Sequence, residues 1–397
     1  MLAILIAIML GIFAGIITGL IPGIHINLVA LLLFIFSTFF LKLTTPFVLA
    51  CFIVAMSITH SFLDFIPSIF LGAPNEKTAL SVLPGHRMLL KGQGFNAVKL
   101  TTIGCFLGTL IACSLAFFFA TTANFFYPYL HKTMAFILIA ISFLLIMKEN
   151  KKVEALFVFL FAGLLGFTTL NFKAIKQPLF PLFTGLFGSS LLAISFLQNV
   201  SLPKQKDKKI KLKKQEITTS FWSSILSSSL VSFLPGIGAA QAATISSSLK
   251  KMSERAFLIL LGMISTMTMI FSFVALYAIK KPRTGVAVFV GKFLPELTMT
   301  QLLTLLVVAL IAASICVFIS LFLAKFFSKN ITKIKYKWLC FGILLFLIAM
   351  TPLISGWLAL IVLIAGTSLG ILTSVLGVKK IHMMGSLLLP VILWYLL

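Results

Sequence analysis

Long apolar runs alternate with short basic links from one end of the chain to the other. A helix needs about 20 apolar residues to cross the roughly 30 Å hydrocarbon core of a bilayer, and runs of that length recur throughout. They predict spans near 47–72, 98–120, 132–147, 153–170 and 179–198, then near 255–279, 300–324, 338–353, 355–376 and 381–396. Each set is preceded by an apolar stretch broken at Pro-Gly: Leu2 to Phe40 at Pro22-Gly23, and Thr218 to Leu249 at Pro235-Gly236. Proline interrupts the helical ladder and glycine permits backbone geometry that other residues resist, so each stretch reads as a hairpin. Ile237 to Leu249 would extend only about 20 Å as a helix, so it dips into the membrane and returns. Leu2 to Leu20 is long enough to cross; it lacks a basic leader and a small-x-small cleavage site, and is read as mature structure.

The two halves echo each other. Leu20-Ile21-Pro22-Gly23-Ile24 returns as Leu234-Pro235-Gly236-Ile237, Thr78-Ala79-Leu80-Ser81-Val82 as Thr284-Gly285-Val286-Ala287-Val288, and Ala162-Gly163-Leu164-Leu165-Gly166 as Ala365-Gly366-Thr367-Ser368-Leu369-Gly370. The order is kept, at offsets of 213, 206 and 203. An odd number of crossings after each hairpin starts the second copy on the opposite face. The expected fold is therefore an all-α polytopic membrane protein of two inverted-topology repeats, each a Pro-Gly-tipped hairpin plus about five transmembrane helices. Residues 1–199 form the first repeat, 200–216 a basic linker and 217–397 the second repeat. Such duplications typify secondary transporters with the site at the repeat interface.

Composition sharpens this picture. With 60% hydrophobic and 10% charged residues, and a mean hydropathy of +1.16, a soluble globular chain is excluded. The net charge of +24 does not point to nucleic acid, because the lysines sit in links between spans, as the positive-inside bias requires. Some of them are placed to meet anionic membrane lipids. Links 73–97, 148–152, 200–216 and 325–337 are then cytoplasmic and both termini lie outside. Link 280–297 would lie outside despite Lys280, Lys281, Arg283 and Lys292; the alternative is a cytoplasmic link and a span count off by one. The five cysteines lie in apolar runs without CxxC spacing and read as small hydrophobes. No HExxH, GxSxG or P-loop occurs and the five histidines are scattered, so neither an enzyme, a cofactor nor a metal site is expected.

The candidate chemistry falls in three groups. At the hairpin tips, Pro22, Gly23, Pro235 and Gly236 expose free amides at the start of a half-helix, where the dipole favours an anion. His25 and Asn27, then Gln241 and Thr244, add polar side chains there. In the loops, Lys77, Thr78 and Arg87 offer charge and a hydroxyl to a small anionic substrate. Within a span, Asp64 lies four residues after His60 on one helical face. That pair either couples transport to H⁺ or Na⁺, or makes a structural hydrogen bond to a neighbouring helix. The Ser-rich arm (Ser223, Ser224, Ser227, Ser228, Ser229, Ser232) either hydrogen-bonds across helices or lines a wet path, or else packs helices closely through small residues.

Gly15-x3-Gly19-x2-Pro22-Gly23, with Gly72-Ala73-Pro74-Asn75-Glu76-Lys77-Thr78, Pro84-Gly85-His86-Arg87 and Lys91-Gly92-Gln93-Gly94, resembles the large membrane subunit of tripartite tricarboxylate transporters, the TctA family, in an archaeal-type side branch. The resemblance covers most of the first copy and, more loosely, Phe233 to Ala243. It implies uptake of small carboxylates driven by an ion gradient, with a small membrane subunit and an external binding protein as partners. Pro74-Asn75 stands where the family usually has Pro-Gly, and an apolar run around Met263 to Val274 replaces its acidic, Asn-rich segment. A polyprenyl-phosphate translocase, also built on paired Pro-Gly hairpins, is the alternative reading.

Overall fold

The computed structural model describes residues 1–21, 26–71, 82–197, 203–206, 210, 212–233, 242–243, 246–247, 252–331 and 336–397. Among the described residues the fold is helical throughout, without strands. The helices are α1 (Leu2–Leu20), α2 (Ile26–Ile35), α3 (Ser37–Phe40), α4 (Pro46–Leu63), α5 (Phe65–Phe70), α6 (Val82–Leu90), α7 (Gly94–Ser114), α8 (Ala116–Met147) and α9 (Lys152–Asn171). Then come α10 (Leu179–Phe183), a π-helical segment (Thr184–Ser189), α11 (Ser190–Leu197), α12 (Lys214–Phe233), α13 (Glu254–Ile279), α14 (Gly285–Phe293) and α15 (Met299–Asn330). The chain ends with α16 (Tyr336–Ser355), α17 (Ala359–Leu376), a 3₁₀ turn (Lys380–Met384) and α18 (Gly385–Leu396). Nine described helices are long and apolar enough to span a bilayer, which makes this a multi-pass membrane protein.

Two helices form the centre. α13 is buried along nearly its whole length, and α4 with α5 almost as fully; the other spans surround them. A membrane offers no hydrophobic drive between helices, so close approach depends on small residues. Gly11, Gly15 and Gly19 recur every fourth position on α1, one face of the helix, and lie against α4. A Cβ at Gly11 would stand 2.5 Å from the Phe52 carbonyl, and one at Gly19 2.8 Å from the Leu63 Cβ. On α12 the same spacing is filled by serine: Ser220, Ser224, Ser228 and Ser232 are buried, and Ser220 Oγ donates to the Ala256 carbonyl of α13 at 2.8 Å. On nearly the same face as Ser220, Ser227 Oγ donates to the Ala242 carbonyl at 3.3 Å.

The central helices meet the flanking ones in matching ways. α13 packs on α7, where Gly104 and Gly262 bring the backbones together and Thr266 Oγ1 donates to the Cys105 carbonyl at 2.9 Å. α4 packs on α15, where Cys316 Sγ bonds Thr59 Oγ1 at 3.2 Å.

Two elements depart from the hydropathy reading. Helix α8 runs unbroken through 121–131, which was expected as a link; Pro128 is accommodated within it, as membrane helices allow when neighbouring groups re-satisfy the freed carbonyl. The 179–198 span carries the π-helical turn, whose Gly185 seats against Leu363 and Gly366 of α17.

Candidate functional site

Asp64 joins α4 to α5, about 27 Å along the span that starts at Pro46 and close to its far end. Asp64 is 3% exposed and His60 2%, so both side chains are held in the interior. His60 Nε2 lies 3.9 Å from Asp64 Oδ2, and His60 Nδ1 shares a 3.2 Å hydrogen bond with Thr18 Oγ1 on α1. Thr18 Oγ1 also donates to the Gly15 carbonyl at 3.3 Å. Gly19 packs on Leu63 and Asp64, so the end of α1 stands beside this residue. The close glycine contact explains how an ionisable pair and a helix end come to share one small volume.

Ser57, His60 and Asp64 lie at i, i+3 and i+7, one face of α4 through α5. In α13, Ser265, Thr268 and Ser272 have the same spacing, 208 positions later, and the starts of the two helices, Pro46 and Glu254, are also 208 apart. All six are buried. Each central helix thus carries a three-residue polar stripe, ionisable in the first and neutral in the second. Sequence reasoning singled out only His60 and Asp64; a search for polar residues at helical spacing inside apolar runs would have found the rest. Ser272 Oγ is a hub, accepting from the Arg283 amide at 2.9 Å, the Thr284 amide at 2.8 Å and Thr284 Oγ1 at 3.1 Å. Thr284 in turn caps α14 by accepting from the Ala287 amide. Hydroxyls of Ser228, Ser265 and Thr268, and the Asn96 side-chain oxygen, are buried without a hydrogen-bond partner.

On another side of the bundle, Arg87 is exposed, and its guanidinium pairs with Glu254 at 3.5 Å, as does Lys91 at 3.4 Å. Glu254 opens α13 and lines a cavity of about 400 Å³ together with Pro84, Ser247, Met252, Ser253 and Phe257. Arg87 is therefore held by a carboxylate that also lines this cavity. His86, its neighbour, is buried with Nδ1 3.4 Å from the Ile69 carbonyl. The basic linker is tied to the same end: Gln205 accepts from the Gly94 amide at 2.9 Å, and the Lys206 amide donates to the Gly92 carbonyl at 2.7 Å.

Of the remaining candidates, Pro22, Gly23, His25, Lys77, Thr78, Pro235, Gly236, Gln241 and Thr244 lie outside the described residues, and Asn27 is described only as part of the α2 backbone. The structure brings together His60, Asp64 and the end of α1; Arg87 belongs to the separate Glu254 cluster.

Comparison with known proteins accords with this architecture. An uncharacterized protein of Methanocaldococcus jannaschii is 33% identical over 267 residues, which is 66% of this chain and 65% of that relative. No solved structure matches the chain. The family described as tripartite tricarboxylate transporter TctA family matches residues 5–385, nearly the whole length. The chain belongs to the tripartite tricarboxylate transporter TctA family.

Proposed function

We propose that this protein is the large membrane subunit of a secondary transporter for a small organic anion of the carboxylate class, working by alternating access between two inverted repeats. The observation that carries the reading is the pair of buried polar stripes, Ser57-His60-Asp64 and Ser265-Thr268-Ser272, each on a central helix that packs against a hairpin arm. The substrate binds between the tips at Pro22-Gly23 and Pro235-Gly236, held by tip amides and by His25, Asn27, Gln241 and Thr244. Amides at a half-helix start bind an anion without burying a net charge of their own. Lys77, Thr78 and Arg87 attract the anion to the first-repeat side.

The repeat is supported by matched packing: α1 on α4 as α12 on α13, and α4 on α15 as α13 on α7. Its inverted sense accords with which links meet. Arg87 reaches Glu254 and Lys206 reaches Gly92 at one end, while Lys281 lies 4.9 Å from the Tyr127 ring and Ser355 bonds the Gln177 carbonyl at the other.

Coupling falls to His60 and Asp64, the ionisable pair whose counterparts in α13 are Thr268 and Ser272. Burying an ionised carboxylate within a membrane span is costly, and that cost is offset when a proton or Na⁺ joins it. Family membership adds a small membrane subunit and an external binding protein as partners, and gives no support to the lipid-carrier alternative. The test is uptake of labelled citrate, tricarballylate and succinate into proteoliposomes under imposed Na⁺ or H⁺ gradients. Gradient-driven accumulation of at least one acid is expected. Accumulation of none, with tight binding of polyprenyl phosphate instead, would reverse the assignment.

A further inference from the structure

Arg283 is a half-buried cation that meets no carboxylate among the described residues. Helix α13 ends at Ile279, and Lys280 turns the chain in the left-handed region at φ 54°. The chain then doubles back, because the Arg283 and Thr284 amides bond Ser272, seven residues before the helix end. Seven residues correspond to about 10 Å, so Arg283 starts well below the end of the helix. Its side chain is only partly accessible, and Nε is buried with no hydrogen-bond acceptor. Arg87, Lys91 and Lys379 each find a carboxylate, whereas no ion pair involves Arg283 among the described residues.

A second cation and two phenols share this place. Lys281 lies over the Tyr127 ring of α8, and Tyr127 and Tyr395 of α18 are within electrostatic reach of the guanidinium. Burial lowers the Arg283 pKa from its ordinary value, and the nearby Tyr395 and Tyr127 oppose that shift. A buried charge without a partner is costly, and the natural remedy is a counter-ion from solution. The guanidinium fork matches the two oxygens of a carboxylate, and phenolic hydroxyls can donate to its remaining lone pairs.

We infer that Arg283, Lys281, Tyr127 and Tyr395 form a carboxylate-binding entry site at the end of the bundle opposite the Gln205 linker. The inference rests on the reading of the protein as a carrier of small organic anions. It assigns to Arg283 the first capture of the solute before it passes inward past Thr284 and Ser272.

The test is calorimetric binding of succinate, citrate and tricarballylate to the purified full chain, against chloride at matched ionic strength. Wild type should bind at least one acid, Arg283→Gln should weaken that binding roughly tenfold or more, and Arg283→Lys should keep part of it. Should Arg283→Gln fail to fold, Tyr127→Phe and Tyr395→Phe provide the readout, each expected to weaken binding several-fold. Unchanged affinity in the foldable variants, or binding of phospholipid headgroup phosphate with no response to the acids, would overturn the assignment. Binding lost in Arg283→Gln by a wild type that accumulates none of the acids would sink the transport reading and leave this site standing. Uptake with an unaltered KM in Arg283→Gln would do the reverse.

Discussion

Replacing Gly262 by alanine should open the contact that holds the two halves of the chain together, and a matched substitution at Gly342 isolates the effect. A Cβ at Gly262 runs into the Thr101 carbonyl oxygen, well inside contact distance, and comes within 2.9 Å of Cys105 N and 3.1 Å of Gly104 Cα. These are backbone atoms, which cannot swing aside, so α7 and α13 must separate. Overpacking of this kind costs about 1–3 kcal/mol. Separation also stretches the 2.9 Å bond from Thr266 to the Cys105 carbonyl, at about 1 kcal/mol. Alanine returns about 1 kcal/mol through better helix propensity, leaving a net loss of about 1–3 kcal/mol. Gly342 is exposed in the middle of α16 with nothing within 4 Å of an added Cβ, so alanine there should gain up to about 1 kcal/mol. The two variants, identical in chemistry, should differ by about 2–4 kcal/mol in equilibrium unfolding of the purified protein in mixed micelles. Equal stabilities would refute the close α7–α13 contact.

Three further outcomes are expected. Asp64→Asn should abolish the dependence of uptake on the ion gradient while leaving the melting temperature within a few degrees; gradient dependence equal to wild type would remove Asp64 from coupling. Ser272→Ala removes the acceptor of two amides and one hydroxyl, so hydrogen exchange at Arg283 and Thr284 should accelerate by roughly tenfold, and unaltered protection would show that the loop is held otherwise. Burial alone would raise the Glu149 carboxyl, but the bond from His382 at 3.2 Å and the Lys379 charge hold it below its ordinary value of 4.5. A depressed acid contributes stability that is present above 4.5 and lost as pH falls through the lowered value, so Glu149→Gln should flatten the acid limb of the stability profile.

The span pattern was legible because a bilayer imposes a single length on apolar helices, and the link at 148–152 followed from its lysines, whereas α15 runs on through 325–330, which was expected as link. Hydrogen bonding across helices was legible as one use of the α12 serines, although Ser220, which bonds the Ala256 carbonyl, lay outside the serines singled out. The continuity of α8 through Pro128 was hidden, because proline reads as a break when its neighbours in space are unknown. So was the partner of Arg87: Glu254 is 167 positions away and only the fold brings them together. The stripe in α13 was missed for a subtler reason. Ser265, Thr268 and Ser272 are neutral and small, so they register as interruptions of hydropathy, and their correspondence to Ser57, His60 and Asp64 emerges only once both helix starts are known.

The central claim is that the two Pro-Gly tips share one anion site. In a variant whose five native cysteines are replaced, cysteines placed at Gly23 and Gly236 should form a disulfide on mild oxidation, and the transported carboxylate should slow that reaction. No cross-link under any condition, with each cysteine labelled from an opposite face of the membrane, would contradict the account.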